Sequence, residues 1–327
     1  MRLSTLSILG SFTRYRLHGA LAFGFLLCGL SGAVTAEQTS IIVDGASGQV
    51  LSESQADEAH APASLTKMMT LYLAFGALRD GRIKLGDQLP VSAHAAGMEP
   101  TKLGLRRGQS ITARDCILAM ITKSANDAAV VMAEKLGGGS ETRFVEAMNA
   151  QALLLGMSNT RFANASGLPA GYESTTARDM SRLAMALYRD FPNRSAYFAT
   201  SEFRFRGHLV KGHNHLMARY AGMDGLKTGY TRAAGFNLAS TAVHNGHRLY
   251  GVVLGGKTWR TRDQRMADLL DEGFATRATE QTRLASQAKS THGMKGRVLH
   301  ALSPIDTANA EPSPQVNRAV LTGKRPE

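Results

Sequence analysis

Cysteine is almost missing from this 327-residue chain, which has only Cys28 and Cys116. Cys28 falls in a leader-like segment whose removal leaves Cys116 alone, so an intramolecular disulfide is excluded from the processed chain. Cys116 sits on an apolar helical pattern, where a thiol serves packing. No run at the N-terminus is long enough to anchor the chain in a bilayer: "ALAFGFLLCGL", Ala20 to Leu30, is eleven residues, against about 20 for a spanning helix. Acidic residues are absent before it, where Arg2, Arg14 and Arg16 stand, and Val34-Thr35-Ala36 follows it with the small residues a signal peptidase accepts. The pattern predicts an export signal over 1–36, cut after Ala36. Leu27, where a lipoprotein signal needs a small residue, argues against acylation of Cys28.

Tryptophan occurs once, and no nucleic-acid-binding motif or internal repeat is present. With export, this argues against nucleic acid as the partner of the net charge of +12. That charge divides into +3 for 1–36, +5 for 37–276 and +4 for 277–327. A basic exported protein is drawn to anionic envelope polymers or lipid head groups.

What is present is organised by period. "SIIVDGASGQVLSE" reads as two strands about a turn, and Ser64 to about Leu78 as a helix. Regular spacing fades between Asp80 and Gly108, where loops and short strands are expected. Helices follow over Thr112 to Leu136, "ETRFVEAMNAQALLLG" and about Ala177 to Arg189. The pattern then turns to strands, with Asn245-Gly246 between two apolar runs as a hairpin signal, and a last helix fits "RDQRMADLLDEGF". Strands at both ends with helices between predict an α/β chain: one sheet built from both chain ends, with a helical region inserted. Beyond about Thr276 the composition is that of a polar, disordered tail or linker. The expected division is therefore 1–36, 37–276 and 277–327.

Ser64 and Lys67 share one helix face, three residues apart, with Cβ atoms roughly 5–6 Å from each other. A lysine amine at that spacing reaches a serine hydroxyl, and the helix start favours developing negative charge. Alone the pattern is weak, since Ser286 and Lys289 repeat it in the tail. Its company is stronger: Ser124-Ala125-Asn126 at the junction of two helical stretches, and Lys227-Thr228-Gly229 on a strand. S-x-x-K, S-x-N and K-T-G elements in this order mark penicillin-recognising serine enzymes. A lysine can take the serine proton only when neutral, and burial with a second cation, here Lys227, lowers its pKa. Ser124 can relay a proton to a departing amine; Asn126 can hold a substrate amide and the lysine; Gly229 admits a close backbone approach. Backbone N–H groups of Ser64 and Tyr230 are the expected oxyanion donors.

From about Ser40 to Phe274 the chain resembles the D-alanyl-D-alanine carboxypeptidase family of low-molecular-mass penicillin-binding proteins. The segments "PASLTKMMT", "SANDAA", "FVEAMNAQALLLGMSNTRFANASGLP", "TARDMSRLAMAL" and "DGLKTGYTRAAGFNLASTA" carry the resemblance. It implies a β-lactamase/transpeptidase-like fold, an antiparallel sheet flanked by helices with an all-helical subdomain. It also implies D-Ala-D-Ala-terminated peptidoglycan stem peptides as substrates, β-lactam antibiotics as acylating inhibitors and no cofactor. By position, Arg262 resembles the family's arginine that helps Lys227 and Thr228 bind the terminal carboxylate. Best-known members add a β-rich domain and a C-terminal amphipathic membrane helix. Only about fifty polar residues follow Phe274 here, which puts membrane anchoring in doubt; a compact, single-domain periplasmic enzyme is the expectation, and endopeptidases that cleave cross-links occur among such shorter relatives.

Two rivals differ in the residues they require. A class A β-lactamase needs an E-x-x-L-N carboxylate between the second and third motifs, and the nearest glutamates, Glu146 and Glu173, lack the Leu-Asn. A metal site could draw on His213 and His215, but no third ligand accompanies them; polar lining or surface is the expected role of these two.

Overall fold

The computed structural model describes residues 38–301. The expected export signal over 1–36 and the end of the tail, 302–327, lie outside the described residues. Strands β1 (Thr39–Asp44) and β2 (Val50–Ser54) form the first hairpin. A 3₁₀ turn over Ala63–Thr66 leads into α1 (Lys67–Arg79). The segment rich in Gly and Pro after it supplies only β3 (Gln88–Pro90), α2 (Ala93–Gly97) and β4 (Ser110–Thr112).

The inserted helices are α3 (Ala113–Ile121), α4 (Asn126–Leu136), α5 (Glu141–Leu154), α6 (Ala177–Asp190) and the single turn α7 (Pro192–Ser195). Thr112, Ser140 and Thr176 start α3, α5 and α6 by accepting the backbone N–H of Asp115, Arg143 and Asp179. A small hairpin, β5 (Glu202–Phe205) and β6 (His208–Lys211), precedes the long strands β7 (Met223–Thr231), β8 (Gly235–His244) and β9 (His247–Gly256). Asn245 and Gly246 turn β8 into β9 at φ of 50° and 78°, the primed-turn geometry their sequence predicts.

One five-stranded sheet runs β2-β1-β9-β8-β7, every neighbouring pair antiparallel. The first strands of the chain thus lie beside β9, and β7 is left at the edge. β8 and β9 are buried on both faces because successive residues alternate between two cores. Leu238, Leu249 and Val253 meet Met266, Leu269 and Leu270 of α8 (Trp259–Ala301). Ala239, Tyr250 and Val252 face α1, α4 and α6, whose Met68, Phe75, Val130, Leu183 and Leu187 fill the larger core.

The expected 276/277 boundary falls within a helix. The last helix continues to Ala301, through residues expected to be a disordered tail. Ala, Arg, Gln, Glu and Lys make up about half of that stretch and no proline intervenes before Pro304, so the helix can continue where no apolar stripe supports it. Its root is also tied down: Arg277 donates to the buried Asp44 carboxylate and, at 2.9 Å, to His247 Nδ1. Among the described residues no helix is long and apolar enough to cross a membrane.

Candidate active site

The turn that carries Ser64 is held from two sides. Asn237 of β8, fully buried, donates Nδ2 to the carbonyls of Ala61 and Pro62 at 3.0 and 3.3 Å and accepts Gly255 N–H at 3.0 Å. From the other side Gly167, at φ +79°, lies against Ala63; a Cβ there would stand 1.9 Å from the Ala63 carbonyl oxygen. Ala63 itself is in the left-handed region, φ 48°, a strained conformation that persists because its surroundings fix it. Gly229 of β7 is the third neighbour, since a Cβ on it would sit 3.3 Å from the backbone nitrogens of Ser64 and Leu65. The close backbone approach that Gly229 admits includes the turn of Ser64 itself.

Lys67, one turn on, has no solvent exposure. Its Nζ donates to Ser64 Oγ at 3.1 Å, to Asn126 Oδ1 at 2.7 Å and to the Ser166 carbonyl at 2.5 Å. Burial, and then the charge of Lys227, hold its pKa well below the ordinary lysine value, with Asp127 pulling the other way. An amine so biased toward neutrality, hydrogen-bonded to a hydroxyl, can take that hydroxyl's proton.

Ser124 stands in the break between α3 and α4 at φ 58°. Its carbonyl accepts Thr101 Oγ1–H at 3.0 Å, and its buried Oγ has no hydrogen-bond partner. Asn126 opens α4 with Nδ2 on the Glu99 carbonyl at 2.8 Å and Oδ1 on Lys67, so it braces the lysine. Next to it Asp127, fully buried, accepts the N–H groups of Leu103, Gly104 and Leu105 at 2.9–3.0 Å. That carboxylate pins the loop that carries Pro100 and Thr101.

On β7, Lys227 is 1% exposed and donates to the Thr228 carbonyl at 2.6 Å. Burial, then Arg262, lowers its pKa to about 7. Arg262 is buried too, its Nε on Asp263 at 2.7 Å and Nη1 on the Asn237 carbonyl at 2.5 Å. It is therefore not a solvated arginine at a helix start.

A cavity of about 380 Å³ opens over these groups. Ser64, Ser124, Asn126, Thr228, Gly229, Tyr230 and Arg262 all line it, so seven of the nine residues singled out from sequence share one wall, and Lys67 and Lys227 lie buried beneath. His213, His215 and Trp259 complete the rim, with the His215 and Trp259 rings 5.2 Å apart. Burial, then Lys227, Lys123 and His215, pushes His213 down to about 4, so its imidazole is neutral at pH 7. Among the described residues no group of three His, Cys, Asp or Glu side chains could hold a metal ion. No aspartate or glutamate lines the cavity. Glu146 is exposed on α5, and Glu173 accepts Ala170 N–H at 3.0 Å away from it.

Four contributors went unread in the sequence: Asn237, Asp127, Gly167 and the Ser166 carbonyl. Asn237 left a trace, a lone amide within the apolar run "GFNLASTAV". A backbone carbonyl leaves none.

The sequence profile of the Peptidase_S11 family, D-alanyl-D-alanine carboxypeptidase, matches residues 31–258. The D-alanyl-D-alanine carboxypeptidase DacC of Escherichia coli (strain K12) is 39% identical over 241 residues, 72% of this chain and 60% of that protein. Penicillin binding protein 5 from Haemophilus influenzae superposes with a TM-score of 0.70 at 33% identity, over 72% of this chain and 70% of that one. Penicillin-Binding Protein D2 from Listeria monocytogenes, in its ampicillin-bound form, gives 0.66 at 30% identity, over 72% and 96%. The chain spans about 60% of the length of the first of the curated relatives it matches.

Proposed function

Because the chain belongs to the D-alanyl-D-alanine carboxypeptidase family, we propose that it is a serine-type carboxypeptidase that trims D-Ala-D-Ala-terminated peptidoglycan stem peptides through an acyl-enzyme on Ser64. The observation that carries this reading is the 3.1 Å hydrogen bond from Lys67 to Ser64, made by a fully buried amine in a cavity that also receives Ser124 and Asn126.

Lys67 accepts the Ser64 proton as Oγ attacks the penultimate D-Ala carbonyl. The oxyanion is held by the N–H groups of Ser64 and Tyr230, which the close approach allowed by Gly229 brings to one side of the cavity. Ser124 relays the proton taken up by Lys67 to the departing D-Ala nitrogen as the C–N bond breaks, so that Lys67 is again neutral and Ser124 keeps its hydroxyl. Lys227, Thr228 and Arg262 take the terminal carboxylate, an anion that offsets two cations buried without a lining carboxylate. Water then attacks the ester, giving the shortened peptide and free Ser64.

A β-lactam ring opens by the same attack, but its amine stays tethered. The tethered amine stays beside the ester in the way of water, and no carboxylate lines the cavity to overcome this, so the acyl-enzyme persists, which favours inhibition over a β-lactamase activity. The export signal expected over 1–36 and the wall substrate support a location in the periplasm or cell envelope.

Incubation of the protein with monomeric and cross-linked muropeptides, with products identified by mass, tests the reading. D-alanine release from monomers is expected, with Ser64→Ala abolishing both release and penicillin labelling. Cleavage confined to cross-links makes the protein an endopeptidase on the same site; neither product, with Ser64 unlabelled, overturns the reading.

A further inference from the structure

The Ser166 carbonyl that receives Lys67 belongs to a loop whose position is set from outside the cavity. Asn164 Oδ1 accepts the N–H groups of Ser166 and Gly167 at 3.1 and 2.6 Å, which closes the loop on itself. Thr70 of α1 donates to the Ala165 carbonyl at 2.7 Å. The remaining peptide hydrogen of that stretch, Ala165 N–H, goes to Glu141 Oε1 at 2.9 Å, and the other oxygen of Glu141 is fixed by His94 Nε2 at 2.7 Å. Glu141 is largely shielded, its side chain 15% exposed, and it opens α5. It lines a separate cleft and is not part of the cavity wall over Ser64.

We propose that Glu141 is a positioning residue for the Ser64 reaction: by gripping Ala165 N–H between α5 and His94 of α2, it holds the Ser166 carbonyl where Lys67 needs it. The inference rests on the acylation chemistry proposed above. With that acceptor displaced, a buried Nζ keeps only Ser64 and Asn126 as partners and can turn from the serine, and small misplacements of a reacting group cost large factors in rate. A bland alternative exists, since a carboxylate in the first turn of a helix also interacts with the helix dipole. The two roles separate chemically, because a glutamine keeps the acceptor oxygen and discards the charge.

The test is stopped-flow acylation by a fluorescent penicillin, resolving the first-order acylation constant from the binding constant, on the full chain. Glu141→Ala is expected to lower the first-order constant by about tenfold or more with the binding constant unchanged, while Glu141→Gln keeps most of the rate. Ser140→Ala, which weakens the start of the same helix, serves as the stability control and keeps the wild-type rate. Equal losses in the Gln and Ala variants, a loss confined to binding, an unchanged Ala variant, or a matching loss in Ser140→Ala would each overturn the proposal. A wild-type protein that fails to acylate overturns instead the function on which it rests.

Discussion

Three cations meet under one cavity, and at the residue scale their unequal environments decide their duties. Arg262 keeps a carboxylate partner in Asp263 at 2.7 Å; Lys67 and Lys227 have none within salt-bridge distance among the described residues. Lys227, at about 7, carries its charge only on the acidic side of that value in the free enzyme. We therefore expect kcat/KM for a carboxylate-bearing substrate to fall above about pH 7, and Lys227→Arg to move that alkaline limb beyond pH 9. The same shift has a cost in folding. The unfolded lysine titrates near 10.5, so between about 7 and 10.5 the unfolded chain binds the extra proton and stability rises with pH; below 7 the full penalty is present. Lys227→Met should accordingly raise the thermal midpoint at pH 6 by more than at pH 10, while losing activity, as a pair of melting curves would reveal. Such opposition between stability and chemistry is expected where unpaired charge is buried. Ser124, strained at φ 58° with an unpaired hydroxyl, is a second instance within the same cavity.

At the scale of elements, the site is a set of short segments forced together by close backbone contacts. Those contacts rank two substitutions. Gly167→Ala puts a methyl 1.9 Å from a backbone oxygen, whereas Gly229→Ala meets backbone atoms at 3.3 Å. The first should cost several kcal/mol, about 3 or more, and abolish penicillin labelling at 37 °C; the second should leave a folded protein that labels about tenfold more slowly. Equal behaviour of the two would mean that the turn of Ser64 yields more readily than its contacts indicate. This layer was half legible in the sequence. Ser64, Lys67, Ser124 and Asn126 were readable because proximity along a helix or across one helix junction is local, and Lys227-Thr228-Gly229 because strand and motif coincide. Gly167 and Asn237 were not, because their function is to touch segments more than a hundred residues distant, and only the register of β8 with β9 and the path of the 164–168 loop bring them there.

For the whole molecule, alternation of apolar residues and the Asn245-Gly246 turn made the sheet legible, including its assembly from both ends of the chain. The end of α8 was not, because a helix without an apolar stripe gives no periodic signal. Arg277 marks where that helix still matters. Truncation after Thr276 removes its bonds to Asp44 and His247 and should lower stability by about 1–3 kcal/mol, or roughly 2–4 °C for each kcal/mol in a domain of this size. Truncation after Arg283 keeps them and should change the midpoint little, with Ser64 labelling retained in both, since no described side chain beyond Arg262 lines the cavity. The pairing of β1 with β9 also bears on when the site can first be assembled. A chain leaving a ribosome or a translocation channel exposes its nucleophile early, but Gly255, which takes the side chain of Asn237, emerges almost two hundred residues later. If the proposed chemistry holds, reactivity toward penicillin is expected only after the ninth strand has docked between its much older neighbour and its most recent one.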